Sequence, residues 1–247
     1  MSGPQVTVTR IQEYSLSSDG NNSLSIENTT ETQNVITIAN NSPDNSQKLA
    51  AYMVIMWAQE ALPVEIPYGS SPWEKTIEPN NSVIRINNNT PSNVTVTVTL
   101  SYVGQDGDPQ KPIILDWLNR QLIVAPETLI TEVKTTIYTG DKQYAGTDAN
   151  VYFRVANGDW WLLDKAWYND FERNDTDTYG PFDVSNLKAR ELSTVPIELK
   201  HDGTFPASDW YVDWLNLEAK IPNKGWYVYK QWNPGWLDAK DRYRRLQ

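Results

Sequence analysis

The stretch from residue 93 to residue 103 (NVTVTVTLSYV) constrains the fold more than any other part of the sequence. Apolar and polar residues alternate there, and a period of two places them on opposite faces of a β-strand. Residues 5–14 and 34–39 show the same alternation, and residues 83–87 repeat it in a shorter form. A helix would need apolar residues three or four positions apart, so the pattern predicts half-buried sheets.

Polar clusters separate these stretches and supply the residues that turns require. They read SSDGNNS, NNSPDNSQ, YGSSP and EPNNS, and their Gly, Pro, Asn and Asp residues favour chain reversal. Short strands punctuated in this way are typical of an all-β sandwich. Residues 111–124 allow two interpretations, a helical turn followed by a strand or two short strands. Residues 50–58 form the longest apolar run, which is too short to cross a bilayer.

A joint near Pro126 divides the sequence. Proline fixes φ and donates no hydrogen bond, so it suits a connection better than a central strand. Aromatic content also changes there, since eight of the 11 tryptophans lie beyond residue 130. A chain of 247 residues is long enough for two domains. We predict two β-sandwich domains, residues 1–127 and residues 131–247.

The charge balance argues against nucleic acid as a partner. The formal net charge is −10; residues 1–130 carry 6 basic and 13 acidic groups and residues 131–247 carry 15 and 18. Phosphate contacts need clustered Lys and Arg, which this chain lacks. A neutral surface, a glycan or a calcium-bridged lipid suits such a chain better. The sequence contains no cysteine, which excludes disulfides and thiolate metal sites.

Sequence motifs for catalysis are missing. The single histidine, His201, is not accompanied by a Gly-x-Ser-x-Gly turn, a P-loop or a dinucleotide fingerprint. Acid pairs such as Asp175 and Asp177 are common, and nothing singles one out for glycoside hydrolysis. The N-terminus shows neither a basic leader nor an apolar segment. We therefore expect a soluble, non-catalytic protein, cytoplasmic or released, that acts at a membrane surface.

Four segments of the second half carry a family resemblance. They read TGDKQYAGTDANVYFRV (139–155), WYNDFERNDTDTYG (167–180), IELKHDGTFPASDWYVDWLNLEA (197–219) and YVYKQWNPGW (227–236). In this order they resemble the PLAT/LH2 (lipoxygenase-homology) domain family over residues 131–240. The first 127 residues resemble no family that we recognise.

The resemblance implies an eight-stranded antiparallel sandwich with calcium-carrying loops at one end. The ligand positions that it implies are Gly146, Thr147, Asp148, Asn169, Asp170 and Asp209. Three loops together can supply the oxygen atoms that Ca²⁺ requires. Tyr144 stands where some calcium-binding relatives carry an acidic residue, and Lys165 lies next to the ligands, where like charge weakens cation binding. Asp164 compensates in part, so we predict weak calcium binding.

Exposed aromatic residues are the candidates for membrane contact, because tryptophan favours the headgroup level of a bilayer. Trp167 and Tyr168 lie next to the predicted ligands and are the best candidates for a membrane-inserting tip. The full set is Trp160, Trp161, Trp167, Tyr168 and Phe205. Trp160 and Trp161 cannot both point inward from one strand, because neighbours alternate faces. A carbohydrate platform would use the same aromatic side chains.

We predict a non-catalytic, calcium-assisted lipid-binding protein whose PLAT-like module brings the N-terminal domain or a partner to a membrane. Its expected partners are membrane lipid or a glycan surface, with a partner protein or a second copy of the chain as further options. One alternative is a component of a bacterial pore-forming or insecticidal toxin, since residues 93–103 are long enough for a membrane β-strand. A second alternative is a glycan-binding module.

Overall fold

The structure is a computed structural model, and it describes residues 5–18, 23–41, 48–54, 64–88, 92–105, 112–117, 120–204 and 209–247. Almost all regular structure in these ranges is β-strand, with a short 3-10 helix at Ala189–Ser193. The predicted all-β class is confirmed. Across the described ranges, no helix is long and apolar enough to cross a membrane. The chain divides into two compact units, Met1–Pro126 and Glu127–Gln247.

The first unit contains ten strands among its described residues. One sheet has the order β1-β8-β3-β6, and the other strands pair in the order β9-β10-β2-β7-β4-β5. Neighbours are antiparallel except β10 and β2, which run parallel. The strands are β1 (Gln5–Leu16), β2 (Leu24–Asn28), β3 (Asn34–Asn40), β4 (Lys48–Val54), β5 (Val64–Pro67), β6 (Trp73–Ile77), β7 (Ser82–Asn88), β8 (Val94–Gln105), β9 (Ile113–Trp117) and β10 (Arg120–Val124).

The alternation in β8 places one row of side chains in the core of this unit. Val94, Val96, Val98 and Leu100 are buried, while the residues between them are half-buried. The same apolar cluster contains Ile26 of β2, so the two sheets pack face to face as a sandwich. Each such side chain contributes about 1.5–3 kcal/mol when it is fully buried.

Two ambiguous stretches of the sequence have different outcomes. Strands β9 and β10 form an antiparallel pair, so residues 111–124 contain two short strands and the interpretation with a helical turn is wrong. Within the apolar run 50–58, residues 50–54 belong to β4, and residues 55–58 lie outside the described part of the chain.

The second unit is a sandwich of two four-stranded sheets, as the resemblance implied. One sheet has the order β14-β11-β16-β17, the other has the order β13-β12-β15-β19, and the short β18 pairs with β16. The strands are β11 (Leu129–Thr139), β12 (Val151–Val155), β13 (Trp161–Leu163), β14 (Asp175–Lys188), β15 (Ile197–His201), β16 (Trp210–Ile221), β17 (Gly225–Trp232), β18 (Gly235–Leu237) and β19 (Tyr243–Arg245).

Strand register brings three connections of this unit to one end. Thr139, the last residue of β11, lies opposite Asp175, the first residue of β14. In the other sheet, Val151 at the start of β12 lies opposite Leu163 at the end of β13. The connections that join the two sheets therefore leave the sandwich at the same end. They are loop 1 (residues 140–150), loop 2 (residues 164–174) and loop 3, which joins β15 to β16 and of which residues 202–204 and 209 are described.

Candidate functional site

Loops 1 and 2 pack directly against each other through main-chain contacts. The Thr147 amide donates to the Phe171 carbonyl over 3.3 Å. A Cβ atom at Gly146 would lie 3.1 Å from the same carbonyl oxygen and 3.2 Å from the Arg173 amide nitrogen, so glycine permits the close approach. The Arg173 guanidinium also pairs with the Asp141 carboxylate at 2.6 Å. Loop 1 thus depends on loop 2 for its position.

Phe171 anchors loop 2 in the core of the unit. Its side chain is buried, although its backbone has a φ of +59°. The ring stacks on Tyr179 at a centroid distance of 5.4 Å and meets the edge of Trp210 at 4.9 Å. The Trp210 indole N–H donates to the Thr139 hydroxyl over 2.9 Å, which satisfies the buried polar atom of that ring. The ring contacts of Phe171 therefore fix loop 2 to the core of the unit.

A polar cleft opens between loop 1, loop 2 and the end of β13. Its oxygen-bearing side chains are Thr147, Asp148, Asn150, Asp164, Asn169 and Asp170. The apolar part of the lining includes Leu162 and Tyr168. The cleft therefore combines acceptors for a cation with apolar groups at its margin.

The structure brings four of the six predicted ligands to this cleft. These four are Thr147, Asp148, Asn169 and Asp170. Gly146 packs against the main chain of loop 2 instead. Asp209 does not line the cleft, and its carboxylate accepts a hydrogen bond from the Ala239 amide at 3.1 Å.

The residues of the cleft fit a calcium ion only in part. Ca²⁺ takes about six to eight oxygen ligands. Both carboxylate oxygens of Asp170 already accept hydrogen bonds, one from the Lys165 amide at 2.9 Å and one from the Tyr179 hydroxyl at 2.6 Å. The described residues contain no group of three or more His, Asp or Glu side chains that could hold a metal ion. Calcium at this cleft stays a prediction.

The sequence did not predict the partner of Lys165. Its ammonium lies 2.5 Å from a carboxylate oxygen of Asp177, whose side chain is 1% exposed. The other Asp177 oxygen accepts the Phe171 amide at 2.9 Å. No sequence motif pointed to this pair, because the burial of Asp177 follows from its register opposite the buried Ile137 in the β11–β14 pair, which only the structure shows. A carboxylate beside a buried strand residue requires a counter-charge from elsewhere in the chain.

Two tyrosines at this end of the unit, Tyr168 and Tyr179, have a raised pKa. The Tyr168 hydroxyl donates to the Asp175 carboxylate, and this raises the pKa of Tyr168 to about 12. The same bond lowers the pKa of Asp175. Burial, followed by the hydrogen bond to Asp170, raises the pKa of Tyr179.

Large apolar side chains are exposed on the loops and the strand end at this end of the unit. Trp167 is fully exposed, at 104% of the reference area, and its backbone has a φ of +66°. Tyr168 and Leu162 are each 47% exposed, and Tyr144 of loop 1 is 80% exposed. A bulky residue with positive φ is a backbone outlier that the surrounding contacts must maintain. We call these four residues, Tyr144, Leu162, Trp167 and Tyr168, the aromatic tip.

The structure does not bring Trp160 and Trp161 to the aromatic tip. Trp160 precedes β13 and Trp161 is its first residue, and neither lines the cleft. Trp161 stacks on Phe182 with ring centroids 4.5 Å apart. Trp160 lies beneath the Arg154 guanidinium at 4.4 Å and the Lys200 ammonium at 4.1 Å. Both rings therefore contact other side chains of the same unit. Phe205, the fifth residue predicted to contact a membrane, lies outside the described residues.

Comparison with known proteins agrees with the resemblance found in the sequence. The PLAT/LH2 domain family matches residues 133–246. The mouse Lipoxygenase homology domain-containing protein 1 is 36% identical over 92 residues, which are 36% of this chain and 4% of that protein. Phospholipase C of Paraclostridium bifermentans is 44% identical over 57 residues, or 22% of this chain and 14% of that enzyme. The alpha toxin of Clostridium absonum aligns with 50% of this chain and 33% of its own at 25% identity and a TM-score of 0.42.

The chain therefore spans only small parts of the relatives it matches. The similarity is to the PLAT/LH2 domain, which is not itself catalytic.

Proposed function

We propose that this chain, whose residues 133–246 form a PLAT/LH2 domain, docks on lipid membranes through its aromatic tip and carries the first unit to that surface. Similarity to such domains, including one in a phospholipase C, points to lipid as the general class of ligand. No catalytic step is part of the proposal.

The exposure of Trp167 carries the proposal. A tryptophan in water at full exposure leaves its whole apolar ring unburied, and its neighbours Tyr168 and Leu162 are also open to solvent. Tryptophan and tyrosine prefer the membrane–water interface, where the ring meets acyl chains and the polar atom stays wet. Grouped exposed apolar residues with a polar rim mark interaction surfaces. The cleft beside the tip supplies that rim.

Charge selects the kind of lipid. The chain has a formal net charge of −10, and the cleft next to the tip contains Asp148, Asp164 and Asp170. Like charges across a short distance oppose docking on an anionic leaflet. We therefore expect zwitterionic phosphatidylcholine to be preferred over phosphatidylserine. Calcium, if it enters the cleft, lowers this repulsion and assists docking.

The absence of cysteine allows a direct test by single labels. Leu162→Cys places an environment-sensitive dye at the tip, and Asn157→Cys places the same dye at the β12–β13 turn, at the other end of these strands. Phosphatidylcholine vesicles should shift the emission of the Leu162→Cys label to the blue and leave the Asn157→Cys label unchanged. The titration is run with calcium and with EDTA.

Two results would defeat the proposal. One is failure of the unlabelled chain to sediment with vesicles of any tested composition in either buffer. The other is an equal shift of both labels, which would place lipid contact away from the tip. A glycan array that retains the chain while vesicles do not would instead support the glycan-binding alternative.

A further inference from the structure

Loop 2 is built around a positive charge that the chain supplies itself. The Lys165 ammonium meets Asp177 of β14 at 2.5 Å, while the Lys165 amide donates to Asp170 at 2.9 Å. One residue thus engages both inner carboxylates of this end, through its side chain and through its main chain. The ammonium also lies over two aromatic rings, 4.6 Å from the centroid of Tyr168 and 4.9 Å from that of Tyr179.

The backbone of loop 2 needs such an internal support. Trp167, Phe171 and Asn174 all have positive φ, between 59° and 66°, and none is glycine. Conformations of this kind persist only where surrounding contacts determine them. Phe171 is fixed by ring packing and by its amide bond to Asp177. Trp167 is fully exposed, so its conformation depends on the residues on either side.

Lys165 supplies the contact on one side of Trp167 and Tyr168. The Tyr168 amide donates to the Lys165 carbonyl at 3.1 Å, which closes a turn around Trp167. The ammonium then lies against the Tyr168 ring, where cation–π attraction favours this arrangement. The buried carboxylate of Asp177 holds the ammonium in place, because an uncompensated carboxylate is costly in such surroundings.

We infer that the Lys165 ammonium is the cation that orders Trp167 and Tyr168 of the aromatic tip, so this part of the tip is formed, and docks on lipid, without calcium. This rests on the proposed membrane docking. Calcium in the cleft then adds to an affinity that already exists. Lys165 is a positioning residue in this scheme and does not itself contact lipid.

The test compares Lys165→Ala with Lys134→Ala. Lys134 pairs with Glu218 at 3.0 Å, and the acid is likewise buried, with a side chain 7% exposed. Both variants lose an ion pair of similar burial, and each should lower the melting temperature by about 10 °C. In EDTA, Lys165→Ala should bind phosphatidylcholine vesicles about tenfold more weakly, because the tip must be ordered on docking. Lys134→Ala should bind like the wild type.

Calcium provides a readout that simple loss of stability would not move. In Lys165→Ala, a calcium ion can enter the space beside Asp177 and should raise the melting temperature by about 3 °C. The wild type and Lys134→Ala should shift by less than about 1 °C. Equal calcium shifts in all three proteins would overturn the inference.

Two binding results would also overturn it. One is wild-type affinity for vesicles that rises about tenfold or more with calcium. The other is Lys165→Ala affinity in EDTA within about threefold of the wild type. If no protein binds vesicles in either buffer, the proposed docking fails instead, and the melting temperatures alone decide whether Lys165 replaces a metal ion.

Discussion

Replacement of Trp167 by alanine separates lipid contact from folding. The side chain is fully exposed, so its removal takes nothing from the core, and alanine inherits the same strained backbone conformation. A tryptophan presents about 200 Å² of surface. At about 25 cal/mol per Å², transfer of half that area into the interface contributes roughly 2.5 kcal/mol. We therefore expect Trp167→Ala to weaken vesicle binding by about 70-fold.

The matched control is Trp160→Ala, which removes the same side chain at the opposite end of β13. Trp160 is covered by Arg154 and Lys200, so its loss should lower stability through two cation–π contacts, about 0.5–1 kcal/mol each. Its vesicle binding should match the wild type. Vesicle co-sedimentation and thermal unfolding measure the two effects on the same samples. If Trp160→Ala loses affinity while Trp167→Ala stays within about threefold of the wild type, lipid contacts another surface and the reasoning from exposure is wrong.

Three further substitutions test the structure. Gly146→Ala should destabilise the second unit by about 1–3 kcal/mol in urea unfolding, because its methyl group would crowd the Phe171 carbonyl. Asn28→Ala should cost the first unit about 2–3 kcal/mol, since the buried Asn28 amide donates to three main-chain carbonyls. Burial lowers the pKa of His201, so folding disfavours its charged form. The second unit should lose stability as pH falls below about 6.5, and His201→Phe should remove this dependence; a wild-type stability that is flat from pH 7 to pH 5 would contradict it.

Much of the fold could be predicted because sheet patterns are local. Alternation in residues 93–103 places Val94, Val96, Val98 and Leu100 inward, and the structure buries these four. The structure of residues 111–124 was ambiguous because a short apolar run fits both the helical period of about 3.6 residues and the strand period of two. Pairing of β10 with β2 in parallel is a contact between distant parts of the sequence, and no local pattern encodes it.

The site was predictable to the extent that its residues occur in contiguous motifs. Thr147 and Asp148 in one motif and Asn169 and Asp170 in another meet at the cleft. The bond between Lys165 and Asp177 was not predictable in the same way, because it joins a loop residue to a strand residue across a turn. Local sequence gives the charge of each group, but only packing decides which charge faces which.

The adjacent residues Trp160 and Trp161 are a second case in which the local sequence does not decide which groups a side chain contacts. A strand must send Trp160 and Trp161 to opposite faces, yet the sequence does not say whether the outer ring meets solvent or another side chain. Here Trp160 lies against two cations, Arg154 and Lys200. Whether the Trp160 ring is exposed depends on the side chains next to it, and these side chains belong to β12 and β15.

In the proposed docking, the charges and the aromatic tip favour one kind of surface. An acidic chain gains little from anionic headgroups when the Lys165 ammonium is already paired with Asp177 and the cleft is lined by carboxylates. Exposed tryptophan and tyrosine rings gain from apolar contact and from quaternary ammonium groups, which they attract through their faces. A choline headgroup offers one quaternary ammonium group, which the acidic cleft and the aromatic rings both attract. A phosphatidylserine headgroup carries a net negative charge and a primary ammonium in place of the quaternary one, so in the proposed docking both the charge of the cleft and the ring chemistry disfavour it.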